Sequence, residues 1–413
     1  MGNHQGKRIV VVNAGNEGKH FIVEQLHALG YAVAVLNAVK VERLLPFVED
    51  WILADTTDVR ASHEAVGTYL ASTRVDGIVT FWEDDVLLCA GLVSAFGYRG
   101  VPSAAAAQIR DKLAFRKTCA EKGVPHPRHW SVGALPDGCE GVRFPVVIKP
   151  SFGASSACVK RCDDPGALSE AIGYFSTHAT SQVESALSNG RSMHVEEYIL
   201  GDEIDIDVVL QDGAVKFMSV CDNYGLDGPY FREKGQSLPT RMGKAREEAV
   251  KRQATDVLVA KFGLTDGCFN FEAKVAEDGG LTPIEINLRM GGDEVWFFNR
   301  AVWGTDLVEL AAMAACGEAI GAEVADPAPR ACLLGEYLLP ERAGTILDFS
   351  VDVTSLRRAG VVKYEFVRKK GDSVGVPPQD YSFLGWFVIQ APSHELAAAA
   401  AEAARASFWF DVA

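Results

Sequence analysis

Residues 281–290 alternate between apolar and polar side chains, and this alternation constrains the fold more than any other feature of the sequence. The polar members are Glu285, Asn287 and Arg289. The apolar members are Ile284, Ile286, Leu288 and Met290. Because side chains on a β-strand alternate between two faces, the three polar groups share one face and the apolar groups pack on a core. The segment predicts a strand that carries a carboxylate, an amide and a guanidinium side by side.

A second predicted strand, residues 267–275, precedes this one, and Asp278-Gly279 lies between the two. Asp-Gly is a favoured two-residue hairpin turn. A hairpin centred there pairs position 270 with 287 and position 272 with 285. Glu272 then lies directly across from Glu285, with Cβ atoms about 5 Å apart.

Two carboxylates so placed repel each other unless a cation lies between them. The oxygens of Glu272, Glu285 and Asn287 are hard ligands that suit Mg²⁺, which usually keeps some waters and bridges to phosphates. The alternative is a solvated polar hairpin face with incidental charges. We predict a Mg²⁺ site, with Mn²⁺ as a second option.

Composition and charge narrow the class of protein. The chain has 413 residues, and 40 Lys+Arg against 55 Asp+Glu give a net charge of −15. At roughly 100–200 residues per domain this length predicts two or three domains. The negative charge argues against nucleic acid and against an anionic membrane surface as partners. A nucleotide stays compatible, because a pocket can be positive on an acidic protein.

Cysteine usage and hydropathy predict a cytoplasmic protein. The nine cysteines are scattered, their number is odd and no C-x-x-C occurs, which is typical of reduced thiols. The N-terminal apolar run has only four residues, too few for a signal peptide. The sequence contains no apolar stretch of about 20 residues, so we predict no membrane-spanning helix. A homodimer is compatible with all of this.

Residues 1–104 are predicted to form a βαβ domain on a parallel sheet. The predicted strands are 8–12, 31–36 and 77–81, and the predicted helices are 18–29 and 59–72. The first turn, residues 13–18, lacks the G-x-G-x-x-G spacing of a dinucleotide site. We interpret it as a structural β–α turn, which argues against an NAD-dependent oxidoreductase.

The remaining chain is predicted to form two further domains, so that the whole combines α/β and α+β architecture. Residues 105–322 mix strands and helices and contain a polar segment, 222–240, predicted to be a loop. Residues 323–413 predict a small C-terminal α+β lobe. Its alanine-rich helix begins after a probable N-cap at Ser393, because a serine side chain can accept from the first free backbone N–H groups.

The sequence resembles the ATP-grasp superfamily of carboxylate–amine ligases over nearly its whole length. In that family an E-x-N-x-R strand and an upstream glutamate hold Mg·ATP, here Glu285, Asn287, Arg289 and Glu272. The resemblance implies that Lys112, in RDKLAFR, and Lys149, in FPVVIKP, contact nucleotide phosphates. A lysine that ends a buried strand can alternatively extend only to solvent.

The segment HVEEYILGDEIDIDV, residues 194–208, resembles the hinge that holds adenosine in this family. The resemblance implies that Glu196 faces the exocyclic amine and that the Glu197 and Ile199 backbones bind the adenine edge. Glu203 would take the ribose hydroxyls. Asp205 and Asp207 are interpreted instead as an exposed strand face.

Residues 151–159, SFGASSACV, resemble the flexible loop that covers the phosphates. A glycine-rich loop can turn its N–H groups onto phosphate oxygens. Gly153 and Ser156 fit the pattern, and Ser156 is the candidate ligand. Ser155 and Cys158 stand where many members carry glycine.

Within the superfamily the sequence is most similar to ligases that join amino acids into dipeptides. That resemblance implies substrate contacts from Glu83, in GIVTFWED, and from Gly291, Gly292 and Asp293 after the signature strand. Arg232 and Gln236, in the polar segment, are further candidates for a substrate carboxylate. Arg289 suits the transferred phosphoryl group, because its guanidinium is always cationic and planar.

The implied reaction is the attack of a carboxylate on the γ-phosphate of ATP, followed by displacement of phosphate by an amine. The expected partners are therefore a small carboxylate, a small amine, ATP and Mg²⁺. Two alternatives stay open: a purine-pathway or carboxylase-type ATP-grasp enzyme, and a non-catalytic ATP-binding regulatory protein.

Overall fold

The computed structural model describes residues 4–224, 228–292, 294–321, 328–381 and 383–413. The N-terminal region is a parallel sheet with helices packed on it. Its elements are β1 (Arg8–Val12), α1 (His20–Ala28), β2 (Ala32–Asn37), β3 (Asp50–Leu53), α2 (Val59–Ser72), β4 (Gly77–Val79) and α3 (Val86–Phe96). The strand order is β3-β2-β1-β4, with every pair parallel. The sequence predicted the parallel arrangement but missed β3, in which only Ile52 is buried.

A four-stranded antiparallel sheet follows. Its elements are α4 (Ser103–Arg110), α5 (Lys112–Lys122), β5 (His129–Ser131), β6 (Val146–Pro150), β7 (Lys160–Cys162), α6 (Pro165–His178) and β8 (Met193–Glu197). The strand order is β5-β8-β6-β7. Asp111 caps α5 by accepting from the N–H groups of Leu113 and Ala114, so the helix begins at Lys112, a predicted phosphate ligand. This sheet positions Lys149 and Glu196 on neighbouring strands.

The core of the molecule contributes five strands of a larger sheet. Its elements are β9 (Asp202–Gln211), β10 (Ala214–Tyr224), β11 (Gly235–Leu238), α7 (Lys244–Thr255), β12 (Gly267–Val275), β13 (Leu281–Asn287), α8 (Val295–Val302) and α9 (Leu307–Cys316). The chain continues from α7 as a π-helix, Asp256–Lys261. Residues 222–240 are therefore not the loop that was predicted, because they hold the end of β10 and all of β11.

The C-terminal region adds strands to the same sheet. Its elements are β14 (Cys332–Leu338), β15 (Gly344–Val351), α10 (Val353–Arg358), β16 (Val361–Phe366), β17 (Ser373–Val374), β18 (Gly385–Ala391), α11 (His394–Arg405) and β19 (Phe408–Val412). The sheet order is β13-β12-β9-β10-β11-β14-β18-β16, and β17-β15-β19 form a separate sheet. Ser393 caps α11 as predicted, by accepting from Leu396 N–H. The C-terminal lobe thus joins the core through β11 and β14.

The domain limits at 104/105 and 322/323 stay predictions, and the second falls outside the described residues. Among the described residues no helix is long and apolar enough to cross a membrane. All nine cysteines are free thiols.

The hairpin of β12 and β13 has the predicted cross-strand pairs. Glu272 pairs with Glu285, and Asn270 pairs with Asn287. β12 also pairs with β9 on its other side, so the carboxylate pair lies near one edge of the eight-stranded sheet.

The turn of this hairpin differs from the prediction. Ala273 pairs with Pro283, so the register shifts by one residue and Ile284 is the extra residue of a β-bulge. The two-residue turn is wrong: Ala276 N–H donates to Gly280, and the left-handed Gly279 lies within a longer turn. Because of the bulge, Ile284 lines the cavity described below and does not pack in the core.

Candidate active site

A cavity of about 420 Å³ lies where the N-terminal region, the four-stranded sheet, the core and the C-terminal lobe meet. This size is within the range of ligand pockets, about 300–1,000 Å³. Most sequence-predicted site residues line it: Glu83, Lys112, Lys149, Ser156, Glu196, Ile199, Glu203, Arg232, Gln236, Glu272, Glu285, Arg289 and Gly292. Glu197, Asn287 and Gly291 are described but do not line it, and Asp293 lies outside the described residues.

The pKa values of the two carboxylates of the hairpin are shifted in opposite directions. Burial alone would raise the pKa of Glu285, but Lys112, which forms an ion pair with it, lowers that pKa to about 2. Burial raises the pKa of Glu272 well above its ordinary value, and the negative charge of Glu285 raises it further. No neighbouring positive charge in the described part of the chain offsets the burial of Glu272. A bound cation would supply that charge and lower the pKa of Glu272.

The amide of Asn287 is engaged by its neighbours. Its Nδ2 donates to Glu272 Oε1 over 2.8 Å and to Asn270 Oδ1 over 3.0 Å. Asn270, which the sequence analysis missed, lines the cavity. No group of three or more His, Cys, Asp and Glu among the described residues is arranged to hold a metal. Two carboxylates and an amide fit Mg²⁺ when phosphate oxygens and waters complete the shell.

Glu196 is held by two cations. Arg116 Nε donates to Glu196 Oε2 over 2.7 Å, and Lys149 Nζ lies 2.5 Å from Oε1. Burial would raise the pKa of Glu196, but Arg116 and Lys149 hold it well below its ordinary value. Arg116 is fully buried and also donates to the carbonyls of Pro283 and Ile284. Arg116 connects the four-stranded sheet to β13, the strand with the predicted metal ligands Glu285 and Asn287, which is called the metal strand below. The sequence did not point to Arg116.

Lys112 joins the metal strand to the phosphate loop. Its Nζ donates to the carbonyl of Gly153 over 3.0 Å while it pairs with Glu285. In that loop Ser155, Ser156 and Cys158 have φ angles of 54°, 52° and 60°. Left-handed backbone favours glycine, which explains why related loops carry glycine where this chain has Ser155 and Cys158.

Glu83 bridges two arginines. Its Oε2 lies 2.8 Å from Arg289 Nε and its Oε1 lies 2.9 Å from Arg110 Nε. All three side chains are nearly buried. Arg289 thus contacts a residue of the N-terminal region, and the structure gives Glu83 a bridging contact that the sequence analysis did not foresee.

The hinge places Glu203 in the cavity beside Lys274, whose Nζ lies 3.4 Å from Glu203 Oε2. Lys274 also donates to the Tyr198 hydroxyl over 3.0 Å. The Glu197 side chain instead pairs with Arg143.

The expected exposure of Asp205 and Asp207 is wrong, because both are buried. β9 lies inside the sheet between β12 and β10, and α8 lies over its polar face, where Asn299 donates to Asp207. Asp205 lines the cavity and accepts from Gln236 Nε2 over 3.4 Å. Asp207 lies beneath Gly291, where an added Cβ would be 2.9 Å from Asp207 Oδ1. Gly291 therefore has a packing role here.

The two remaining predicted residues differ in their contacts. Arg232 lines the cavity and its Nη1 donates to the carbonyl of Pro340 over 3.1 Å. Gly292 lines the cavity with open space around its Cα. Trp82, which the sequence analysis did not select, also lines the cavity and donates from Nε1 to Asp84.

Two family models match the chain. The ATP-grasp domain matches residues 142–296, which contain the hairpin, the hinge and the phosphate loop. The L-amino acid ligase C-terminal domain 2 matches residues 336–413.

Individual relatives agree with these matches. Carnosine synthase 1 of Gallus gallus is 28% identical over 386 residues, which are 87% of this chain and 40% of that protein. The L-arginine-specific L-amino acid ligase of Bacillus subtilis is 24% identical over 339 residues, 78% of this chain and 77% of that protein. The crystal structure of L-amino acid ligase from Bacillus licheniformis superimposes with a TM-score of 0.82 at 21% identity and covers 99% of both chains.

The chain spans about two-fifths of the length of the carnosine synthases that it matches. Its fold nevertheless superimposes on 99% of the solved L-amino acid ligase. The predicted ATP-grasp fold is thereby confirmed: the chain contains an ATP-grasp domain and an L-amino acid ligase C-terminal domain, and it is similar to carnosine synthases and L-amino acid ligases.

Proposed function

We propose that this chain is an ATP-dependent ligase that joins a carboxylate, an amino acid, to an amine and releases ADP and phosphate. The observation that carries the proposal is the pair Glu272 and Glu285, buried side by side on a cavity wall that also presents Lys112, Lys149 and Arg289. Buried carboxylates without enough positive charge suit a divalent cation, and the cations around them suit a triphosphate. The names of the relatives, which are amide-forming ligases, support the same reaction.

ATP is proposed to lie along the wall formed by the four-stranded sheet and the hinge. Lys112 and Lys149 would contact the phosphates, with Ser156 on the loop above them. Ile199 and the Glu197 backbone would hold the adenine edge, and Glu203 the ribose. Glu196 has both oxygens occupied by Arg116 and Lys149, so its contact with the adenine amine would be shared with these partners.

Glu272, Glu285 and Asn287 would hold Mg²⁺, and Mn²⁺ stays a predicted alternative. When bound, the metal would neutralise the triphosphate charge and orient the γ-phosphate for in-line attack. Lys112, a flexible side chain on the cavity wall, would then turn from Glu285 to a phosphate oxygen.

The chemistry needs positioning and charge stabilisation and no covalent nucleophile. A substrate carboxylate oxygen bonds to the γ-phosphorus, the bond to ADP breaks, and an acylphosphate forms. The amine then attacks the acyl carbon, phosphate leaves and the nitrogen loses a proton. Arg289, fixed by Glu83, would donate to the oxygens on which negative charge develops.

The substrates are proposed to enter the end of the cavity that is lined by Trp82, Asp84 and Glu83. Arg232, Gln236 and Gly292 line other parts of the cavity and are proposed to contact the second substrate. Asp293 belongs to the same proposal from the resemblance alone. Cytoplasmic location and a homodimer stay predictions.

Purine-pathway and carboxylase-type activities are less well supported, because residues 336–413 match the L-amino acid ligase C-terminal domain. A regulatory protein that only binds ATP would not need Arg289 or its buried bridge to Glu83. The family set is complete here, which favours turnover.

The test is an ATP-dependent phosphate-release screen over pairs of amino acids, with mass spectrometry of the product and chromatography of the nucleotide. We expect ADP, phosphate and a dipeptide or amide in equal amounts. Stoichiometric AMP, or nucleotide binding with no turnover for any pair, would contradict the proposal. Glu272→Gln is the control that should abolish activity in the same screen.

A further inference from the structure

Asp207 is a buried carboxylate with amide partners on two sides. It is 1% exposed, on β9 behind the cavity wall. On one side Asn299 Nδ2 donates to Asp207 Oδ2 over 2.9 Å, and Ser219 Oγ donates to Asn299 Oδ1 over 2.6 Å. Burial raises the pKa of Asp207 to about 6, and hydrogen bonds from Asn299 and Asn270 oppose that rise. Both oxygens of Asp207 therefore lie against amide NH₂ groups and act as acceptors.

On its other side Asp207 begins a chain of hydrogen bonds that reaches the metal strand. Asn270 Nδ2 lies 3.5 Å from Asp207 Oδ1. Asn287 Nδ2 donates to Asn270 Oδ1 over 3.0 Å and to Glu272 Oε1 over 2.8 Å. Two side chains, Asn270 on β12 and Asn287 on β13, thus connect Asp207 on β9 to Glu272, and these three strands are adjacent.

The direction of this chain follows from the charge at its start. A carboxylate only accepts, so Asn270 must turn its NH₂ group toward Asp207 and its carbonyl away. That carbonyl then requires a donor, which is the NH₂ group of Asn287. Both hydrogens of the Asn287 amide are used on Asn270 and Glu272, and its carbonyl oxygen accepts no hydrogen bond from the described residues.

We propose that Asp207 is a positioning residue that orients the amides of Asn270 and Asn287 so that Asn287 keeps its carbonyl oxygen for the divalent cation. This inference rests on the cation site of the proposed function. A neutral amide at position 207 could donate as well as accept, and the chain could reverse. Asn287 would then present an NH₂ group, which cannot bind a cation.

The test measures metal binding directly and without amino-acid substrates. Mn²⁺ is titrated into the protein with saturating ADP, and free Mn²⁺ is followed by electron paramagnetic resonance. Asp207→Asn should weaken Mn²⁺ binding about 10–100-fold, the usual effect of removing a partner of a metal ligand. Affinity for metal-free ADP should change less than twofold.

Ser219→Ala is the matched control. It removes a hydrogen bond from the far end of the same buried network, on the side of Asp207 away from the metal strand. A merely structural role for the network predicts similar losses from both variants, whereas the positioning role predicts normal Mn²⁺ affinity for Ser219→Ala. If the wild-type protein itself binds no Mn²⁺ with ADP, the proposed function fails at its cation site before Asp207 is tested.

The double variant Asp207→Asn/Asn270→Asp should restore the orientation. It moves the carboxylate one strand along, so the amide at 207 donates to it and Asn287 Nδ2 still finds an acceptor. We expect Mn²⁺ affinity within about threefold of wild type, because the acceptor that orients the Asn287 amide is kept and members of one hydrogen-bond network compensate for each other. Unchanged affinity in Asp207→Asn, or no recovery in the double variant, would overturn the assignment. Failure of both variants to fold would also overturn it, since Asp207 would then serve the fold alone.

Discussion

The bridge from Glu83 to Arg289 should make Glu83 important for rate even though it lies in a different region of the chain. Arg289 Nε is 2.8 Å from Glu83 Oε2, and both side chains are only about one-tenth exposed. This contact is an ion pair without hydrogen-bond geometry, and we assign it about 1.5–3 kcal/mol, the low end of the coupling found for close charge pairs. In Glu83→Gln the single amide oxygen can accept from Arg289 or from Arg110, but not equally from both. We expect kcat to fall about 10–100-fold, which corresponds to that free energy.

Arg289→Met should lower kcat further, by about 10²–10³, because it removes a donor to developing charge. The two effects should not add. If Glu83 acts by holding Arg289, the double variant should be no slower than Arg289→Met alone, since the group that Glu83 positions is gone.

Single-turnover quench-flow with saturating ATP and the best substrate pair measures these rates, and calorimetry checks that Mg·ADP affinity is kept. Glu64→Gln is the control, an identical substitution on exposed α2 of the same region. A normal kcat in Glu83→Gln would refute the positioning argument. Full additivity with Arg289→Met would show that Glu83 acts separately, for example on the substrate.

Three further predictions concern nucleotide binding and stability. Glu203→Ala should weaken ATP binding by about 1.5–3 kcal/mol through lost ribose hydrogen bonds, while the KM for the amino acid stays unchanged. If calorimetry shows unaltered ATP affinity, the ribose does not bind at Glu203. Arg116→Met should lower the free energy of unfolding by about 3–5 kcal/mol in urea titrations, because it removes one of the two cations that hold the buried Glu196 and the donor to the carbonyls of Pro283 and Ile284. A loss under about 1 kcal/mol would contradict that. Burial would lower the pKa of His4, but hydrogen bonds to Glu318 and Glu309 raise it overall. The stabilisation from His4 is therefore complete below about pH 6.5 and is lost as pH rises past the raised pKa. His4→Gln should reduce the increase of Tm that the wild-type protein shows on acidification. An unchanged dependence of Tm on pH would count against this ion pair.

The carboxylate pair could be predicted from the sequence because it depends on local rules. The alternation of polar and apolar residues shows which side chains share a face of the strand. The register of β12 against β13 then determines which residues are paired across the two strands. The prediction of a two-residue turn was nevertheless wrong. The bulge at Ile284 shifts the register by one residue between Ala273 and Glu272, and this shift restores the predicted pairing of Glu272 with Glu285. A bulge depends on tertiary packing of the strand, which a two-residue turn rule does not contain.

The ion-pair network could not be predicted, because its members are far apart in the sequence. Glu196 and Arg116 are 80 residues apart, and no spacing pattern relates them. Asp205 and Asp207 failed for a different reason. Alternation with Ile204 and Ile206 shows that β9 has a polar face, but only the tertiary contact of α8 with that face, through Asn299, shows that it is inside the protein.

Lys112 connects these observations to the order of ligand binding. In the protein without ligands its ammonium group neutralises Glu285 and also holds the carbonyl of Gly153 on the phosphate loop. If Lys112 left for a phosphate with nothing in its place, Glu285 would be a second buried carboxylate beside Glu272 without a counter-charge, an arrangement that costs several kcal/mol. Lys112 can therefore turn to phosphate only when another cation reaches Glu285 in the same step. We expect nucleotide to bind more tightly with a divalent cation than without one, with the loop from Gly153 to Cys158 released from Lys112 when both are bound.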